Sequence, residues 1–256
     1  MIKPYARHFL VAIFVIVSGT MITFAQKPAV SSVPKPNPLN AKLIAAVKAE
    51  SVQQVKVILS QKADPNVEDH DSGFRVPVLN AALSNVTDEK ASREIALMLI
   101  ESGANVNADG STGFTPLMLA DDTEVIQLLL KKGADPSLGT ARSGFSTPLH
   151  NAVWKPIVTK LLIAAKANIN AKTLRGNTPL IEAVSRINQN VDENGQIEPE
   201  SEGEKDILAC MESIRLLINA GADLSIKNDQ GQTAVSLAKE SKYKPLIDLL
   251  QSFLKA

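Results

Sequence analysis

Three histidines and one cysteine set narrow limits on the chemistry open to this chain. His8 lies in an apolar N-terminal stretch, which leaves His70 and His150 for a folded site. His70 stands between Asp69 and Asp71, a trio of metal-binding side-chain types. Adjacent residues on one loop seldom hold a metal alone, however, and no helical pair of histidines supports them. Cys210 sits in an apolar helical run with no His or Lys nearby to lower its pKa, so it reads as a small buried hydrophobe. Ser236-Leu-Ala-Lys239 has the spacing of a Ser/Lys nucleophile pair but lacks the companion motifs of that chemistry. Asp121-Asp122 could be a carboxylate pair, yet its position before an apolar helical pattern suits helix caps better. Asp192-Glu-Asn-Gly195 suggests a calcium loop, but its Gly is misplaced and the closing Glu is missing. There is no phosphate-cradling glycine loop and no Gly-x-Ser-x-Gly. The expectation is a non-enzyme with no catalytic, cofactor-binding or metal-ligating residues.

The elements that would position a site follow a repeating pattern. Gly144-Phe-Ser-Thr-Pro-Leu-His150 opens with a helix start: Thr147 can cap orphan backbone N–H groups, and Pro148 has no N–H to leave unpaired. A short helix should end near Trp154, and Pro156 should open a second, whose apolar residues recur at helical spacing. Thr115-Pro116-Leu117 and Thr178-Pro179-Leu180 repeat the start, with Val76-Pro77-Val78 and Thr233-Ala234-Val235 as degraded copies. The end of the unit returns as Ala63-Asp64, Gly103-Ala104-Asn105, Gly133-Ala134-Asp135, Ala167-Asn168 and Gly221-Ala222-Asp223. Gly just past an apolar helical run marks a left-handed C-cap. One such unit cannot bury its own apolar face, so neighbours must do so.

Thr-Pro-Leu-His closed by Gly-Ala-Asp about 20 residues later resembles the ankyrin repeat, whose period is about 33 residues. The resemblance covers residues 39–256 and implies an all-α solenoid of helix-turn-helix units joined by short β-hairpin-like connections, about six in number. The first unit, Leu39 to Asp71, lacks the Thr-Pro-Leu start and reads as a cap, with Leu43, Ala46, Val47, Val55, Val57, Ile58 and Leu59 supplying its apolar face. The second, Ser72 to Ala108, has Val76 in place of the capping Thr and extra residues from Asn85 to Ala91. The third, Asp109 to Leu138, is short, with Asp122 or Thr123 as the cap of its second helix. In the fourth, Lys166 replaces the closing Gly, which argues against an ideal left-handed cap. The fifth, Thr173 to Leu224, carries an acidic insertion at about 185–206 that should lack the apolar surface to order itself. The sixth, from Asn228, is a degraded C-terminal cap in which Ser236 replaces His.

The resemblance also implies the place of function. Partners of such stacks usually meet the concave side, made of hairpin tips and exposed parts of the first helices. Aligned by motif, Phe74, Phe114 and Phe145 each follow a Gly and precede a helix start, and stacking should bring them into a row. Trp154, the only Trp, falls at the end of a first helix, with Arg75, Asn151, Leu174, Arg175, Asn177, Asp229 and Gln232 flanking. Exposed aromatics with a polar rim suit a protein interface; the alternative is that the rings pack on neighbouring hairpins. His150 takes the family's structural position, bonding neighbouring backbone.

Residues 1–25 are of a different kind. Lys3 and Arg7 precede the apolar run Phe9 to Val17, and Thr23-Phe-Ala25 is a small-x-small site, the layout of a secretory signal peptide. An uncleaved anchor is the other reading, although the run is short for a span and broken by Ser18-Gly-Thr20. Residues 26–38, with Pro28, Pro34, Pro36 and Pro38, read as an extended tether. The formal charge is zero, with 27 basic and 27 acidic residues; loss of Lys3 and Arg7 leaves 25 basic. No basic cluster stands out, which argues against nucleic acid. The expected function is a monomeric, exported protein, periplasmic or secreted, that binds another protein as adaptor or scaffold. The alternative is an inhibitor or immunity-type protein occluding an exported enzyme or toxin. No membrane contact is expected unless the signal is retained.

Overall fold

The computed structural model describes residues 37–71, 73–84, 87–198 and 201–254, and these fall in one compact unit. The proposed signal (1–25) and most of the tether (26–36) lie outside the described residues. The last two residues assigned to the tether belong to the array. Asn37 caps the first helix by accepting Leu39 N–H at 3.0 Å, and Pro38 is its first helical residue.

Among the described residues, twelve helices form six consecutive pairs. These are α1 (Pro38–Lys48) with α2 (Val52–Ser60), α3 (Val78–Ser84) with α4 (Glu89–Glu101), and α5 (Pro116–Leu119) with α6 (Thr123–Lys131). They continue as α7 (Pro148–Asn151) with α8 (Pro156–Ala164), α9 (Pro179–Asn188) with α10 (Glu202–Asn219), and α11 (Ala234–Glu240) with α12 (Lys244–Leu254). Each first helix packs on the next first helix, from α1 through α11. The second helices stack in the same way from α2 through α10, so the fold has two helical layers. β1 (Glu68–Asp69) and β2 (Val76–Pro77) form one antiparallel ladder, with Glu68 opposite Pro77 and Asp69 opposite Val76. The other connections are turns.

Helical spacing decides which side of each element is buried. In α6, Asp122 caps by accepting Glu124 and Val125 N–H, and Val125, Ile126 and Leu129 are fully buried. Leu43, Leu99, Leu149, Leu162, Leu180, Ile187 and Leu217 fill the same apolar seam along the array. Val57 departs from the expectation: it is exposed on α2, the second helix of the first described repeat.

Each second helix of repeats one to five ends in a left-handed residue followed by a buried alanine. Ala104, Ala134, Ala167 and Ala222 donate their N–H groups to Leu99, Leu129, Leu162 and Leu217 at 2.9–3.0 Å. Gly103, Gly133 and Gly221 supply the positive φ in three of them. Lys166 supplies it in the fourth at φ 66, and Lys62 in the first at φ 67. The left-handed cap therefore forms without Gly. A left-handed non-Gly residue costs about 1–2 kcal/mol, a penalty the closing hydrogen bonds and the buried alanine outweigh.

The residues after these caps tie the repeats together. Asp64, Asn105, Asp135, Asn168 and Asp223 each accept the N–H two residues ahead, at 2.8–3.1 Å. In turn the side chains of Asn40, Asn66, Asn107, Ser137 and Asn170 accept the backbone N–H of Asp64, Asn105, Asp135, Asn168 and Asp223. Asn66 and Asn107 also donate to the carbonyls of Gly103 and Gly133 in the next loop.

Two connections differ from the sequence reading. In the second repeat Asp88 caps α4, so Glu89 to Ala91 are already helix rather than extra loop. The Glu50 carboxylate, one repeat earlier, accepts from Thr87 N–H, Thr87 O–H and Asp88 N–H, which holds it below the usual carboxylate pKa range. In the fifth repeat the described residues of the insertion, 185–198 and 201–206, fold onto the array. It lengthens α9 and α10, and Ile187 and Ile207 are completely buried while Val191 and Ile197 pack on the core. The neighbouring repeats offer an apolar surface that the isolated segment lacks, and the acids lie mostly toward solvent. Asp192 accepts from Asn194 and Gln196 N–H in a tight turn around Gly195. A side chain at Gly195 would meet the Lys242 backbone at 2.5 Å, so the turn lies directly on the last repeat.

The loop ladder predicts a specific energetic signature. Asn107→Ala should cost about 1–2 kcal/mol in chemical denaturation, because it leaves Asp135 N–H and Gly133 C=O without their side-chain partner. Asn107→Ser, which retains an acceptor as Ser137 does, should lose less.

Candidate partner-binding face

The tips of the connections are bonded one to the next. Ser111 N–H donates to Arg75 C=O at 2.7 Å, and Arg75 N–H to Ser111 Oγ at 2.8 Å. Thr140 Oγ1 donates to Gly113 C=O at 2.8 Å, Leu174 N–H to Gly144 C=O at 2.7 Å, and Asp229 N–H to Arg175 C=O at 3.1 Å. These bonds set the tips in register along one face. Phe74, Phe145 and Leu174 are 61%, 46% and 68% exposed there. Phe114 departs from the expected row of three: it is half-buried, with its carbonyl held by the Asn80 amide at 2.9 Å. The exposed apolar side chain of the next tip is Leu174. Phe145 has φ 59, an uncommon conformation for a bulky side chain.

The polar candidates divide. Arg75 is exposed and lies 3.6 Å from both Glu68 and Asp109. Arg175 is exposed, with no acidic partner among the described residues. Asn151 accepts from Ser146 Oγ at 3.0 Å, so its carbonyl is engaged within the loop. Asn177 is a scaffold node: its amide donates to Glu182 and accepts from Asn228, and its backbone carbonyl meets His150 Nε2 at 3.0 Å. Trp154 is 36% exposed. The Lys155 ammonium lies 4.1 Å and the Arg186 guanidinium 5.0 Å from its ring centroid. Lys155 bonds Asp121, and Arg186 bonds Asp206 at 2.8 Å, so Trp154 seats a charge chain across three repeats. Asp121 is thus an ion-pair partner rather than a cap; Asp122 alone caps α6.

The residues weighed for chemistry have structural duties. His150 Nδ1 accepts Thr147 N–H at 3.1 Å, so Nε2 carries the proton and donates to Asn177 C=O. Ser236 does the first job in the last repeat, with its Oγ accepting Thr233 N–H at 2.9 Å. Met118 holds that position in the third repeat, and Thr115 Oγ1 is buried there without a partner. Burial pushes the Cys210 thiol up to about 11. His70 is exposed at the first tip, 3.9 Å from Glu68. Among the described residues, no group of three His, Cys, Asp or Glu could hold a metal ion, and no helix is long and apolar enough to cross a membrane.

Residues 43–140 match the family model for ankyrin repeats (3 copies). The described helix pairs superpose on an ankyrin repeat domain from Acinetobacter baumannii with a TM-score of 0.64 and 27% identity, over 82% of this chain and 96% of that one. A second solved ankyrin repeat protein gives a TM-score of 0.65 at 26% identity, over the same shares of the two chains. The chain has the ankyrin repeat fold. The ankyrin repeat protein YahD of Escherichia coli (strain K12) is 24% identical over 216 residues, 83% of this chain and 95% of that protein. Ankyrin repeats are protein-interaction modules and generally non-catalytic scaffolds. This ankyrin array displays Phe74, Phe145 and Leu174 on tips that backbone bonds hold in place, while Val57, Ile157, Leu208 and Leu254 are exposed on second helices.

Two measurements follow from the buried groups. Burial disfavours the imidazolium of His150 and lowers its pKa below 6.5. The unfolded chain then binds that proton first on acidification, so this stability is full above about pH 6.5 and is lost as pH falls toward the folded value. The thermal midpoint should therefore fall more steeply between pH 7.5 and 5 in the native chain than in His150→Ser. At pH 7.5 the variant should keep the Thr147 contact, lose the Asn177 link and be about 1 kcal/mol less stable. A water-soluble maleimide should leave Cys210 unlabelled in the folded chain and label it on denaturation.

Proposed function

We propose that this ankyrin array is a non-enzymatic scaffold that holds another protein against its hairpin tips, acting outside the cytoplasm. The observation that carries the reading is the exposure of Phe74, Phe145 and Leu174 on tips locked by backbone hydrogen bonds. Apolar anchors on a preformed surface bind without the entropic cost of ordering a loop. Action outside the cytoplasm is supported by the basic, apolar and small-residue layout of residues 1–25.

Capture from an envelope fraction on the immobilised chain tests this. The native chain should retain one abundant protein, and Phe145→Ala with Leu174→Ala should reduce its retention by roughly tenfold or more. Trp154→Ala, at the border of the face, should reduce it less. Equal retention by the double variant would exclude the tip face. Partners found only in the cytoplasmic fraction would exclude the location. Loss of a captured enzyme's activity would turn the scaffold into an inhibitor.

A further inference from the structure

The charge of this neutral chain is unevenly divided, and the imbalance falls on the repeat that carries the exposed tips. Between Asp135 and Glu182 there is no Asp or Glu, while Arg142, Lys155, Lys160, Lys166, Lys172 and Arg175 are all basic. They form no run, so a search for charge clusters passes over them; the fold gathers three of them at two adjacent tips. Arg142 shares its connection with Phe145, and Lys172 and Arg175 flank Leu174. Leu174 and Gly144 are joined backbone to backbone at 2.7 Å. Arg142 reaches only the Ser111 carbonyl at 3.4 Å, and Lys172 only the Lys227 carbonyl at 3.1 Å. None of the three has an acidic partner among the described residues, whereas Arg75 on the earlier tip lies between Glu68 and Asp109. Beyond the pair of basic tips acids return, with Asp109 beside Arg75 on one side and Asp229 with Lys227 on the other.

We propose that the Phe145–Leu174 tips take a short acidic segment of a partner protein, in which an apolar side chain is flanked by carboxylates. This deepens the scaffold reading and rests on it. The apolar side chain lies against Phe145 and Leu174, and the carboxylates meet Arg142, Lys172 and Arg175. Unpaired arginines suit this role, because a guanidinium already held by an acid must give up that acid before it binds another. Stacked helices lie about 8–10 Å apart, so the basic zone spans about two repeats and fits a few residues of extended chain. A long polyanion such as a nucleic acid would run past the basic zone onto flanking tips whose acids and bases balance, and gain nothing from its extra length.

The test uses the full chain and fluorescence anisotropy with three labelled nine-residue peptides of one apolar pattern. In one the intervening residues are Asp and Glu, in the second Ser and Gln, in the third Lys. A labelled oligothymidylate of twenty nucleotides is the fourth probe. The acidic peptide should bind at least tenfold more tightly than the neutral one and weaken severalfold between 50 and 300 mM salt. Arg142→Glu with Arg175→Glu should abolish that preference while leaving the circular dichroism spectrum and thermal midpoint unchanged. Equal binding of the acidic and neutral peptides overturns the acidic segment. If that binding is lost in Phe145→Ala, the scaffold reading still stands; if it persists there, the tip face falls as well. Tighter binding of the oligothymidylate, or no binding of the acidic peptide, also overturns the proposal.

Discussion

No helix pair in this chain can bury its own apolar side, and every other feature answers to that constraint. Leu99, Leu129, Leu162 and Leu217 are each fully covered, and the cover comes from the neighbouring pair as much as from the partner helix. Apolar contact alone would tolerate sliding of one pair over the next. The loop ladder fixes the register, because an Asn or Ser side chain of one repeat reaches one particular backbone N–H of the next. Apolar burial supplies most of the stability, and the side-chain-to-backbone links choose one arrangement of it.

The same division explains which parts of the fold were legible in the amino-acid sequence. Thr-Pro starts, apolar spacing and Gly-Ala closings are local signals, and they placed the starts of α5, α7, α8 and α9 and narrowed the α6 cap to Asp122 or Thr123, while α7 ends at Asn151 rather than near Trp154 and α9 runs past Val184 to Asn188. Lys166 misled because its φ is set by the bonds around it and not by its own preference. The acidic insertion misled for a similar reason: Ile187, Val191, Ile197 and Ile207 look too sparse alone, yet neighbouring repeats complete their packing. The Asn and Asp residues after each cap were visible as a repeated pattern. Their function was not, because it requires knowing that residue 107 faces residue 135.

The candidate face was partly legible. Phe74, Phe145, Leu174 and Arg175 are exposed where motif alignment puts them, while Phe114 is half-buried and Asn177 is bound into the scaffold. Exposure at a tip depends on how the following repeat closes over it, and single residue types carry no signal of that. Trp154 shows the point from the other side. Its ring is partly open to solvent, but Arg186 reaches it only because α9 runs on to Asn188, well beyond the four-residue length of α5 and α7.

A linear array ordinarily frays from its ends, where each terminal unit has one neighbour instead of two. Here both ends are fastened. Glu50 binds the first repeat to the second through Thr87 and Asp88, and Lys48 closes the first repeat's own connection by pairing with Asp69 and Asp71. At the other end, Asn188 bonds the Leu237 carbonyl and Lys242 bonds the Glu193 carbonyl. The shortest helices, α5 and α7 with four residues each, lie in the middle. The least helical stretch of the array is thus its centre, and a partner laid across the central tips would act as a splint over it.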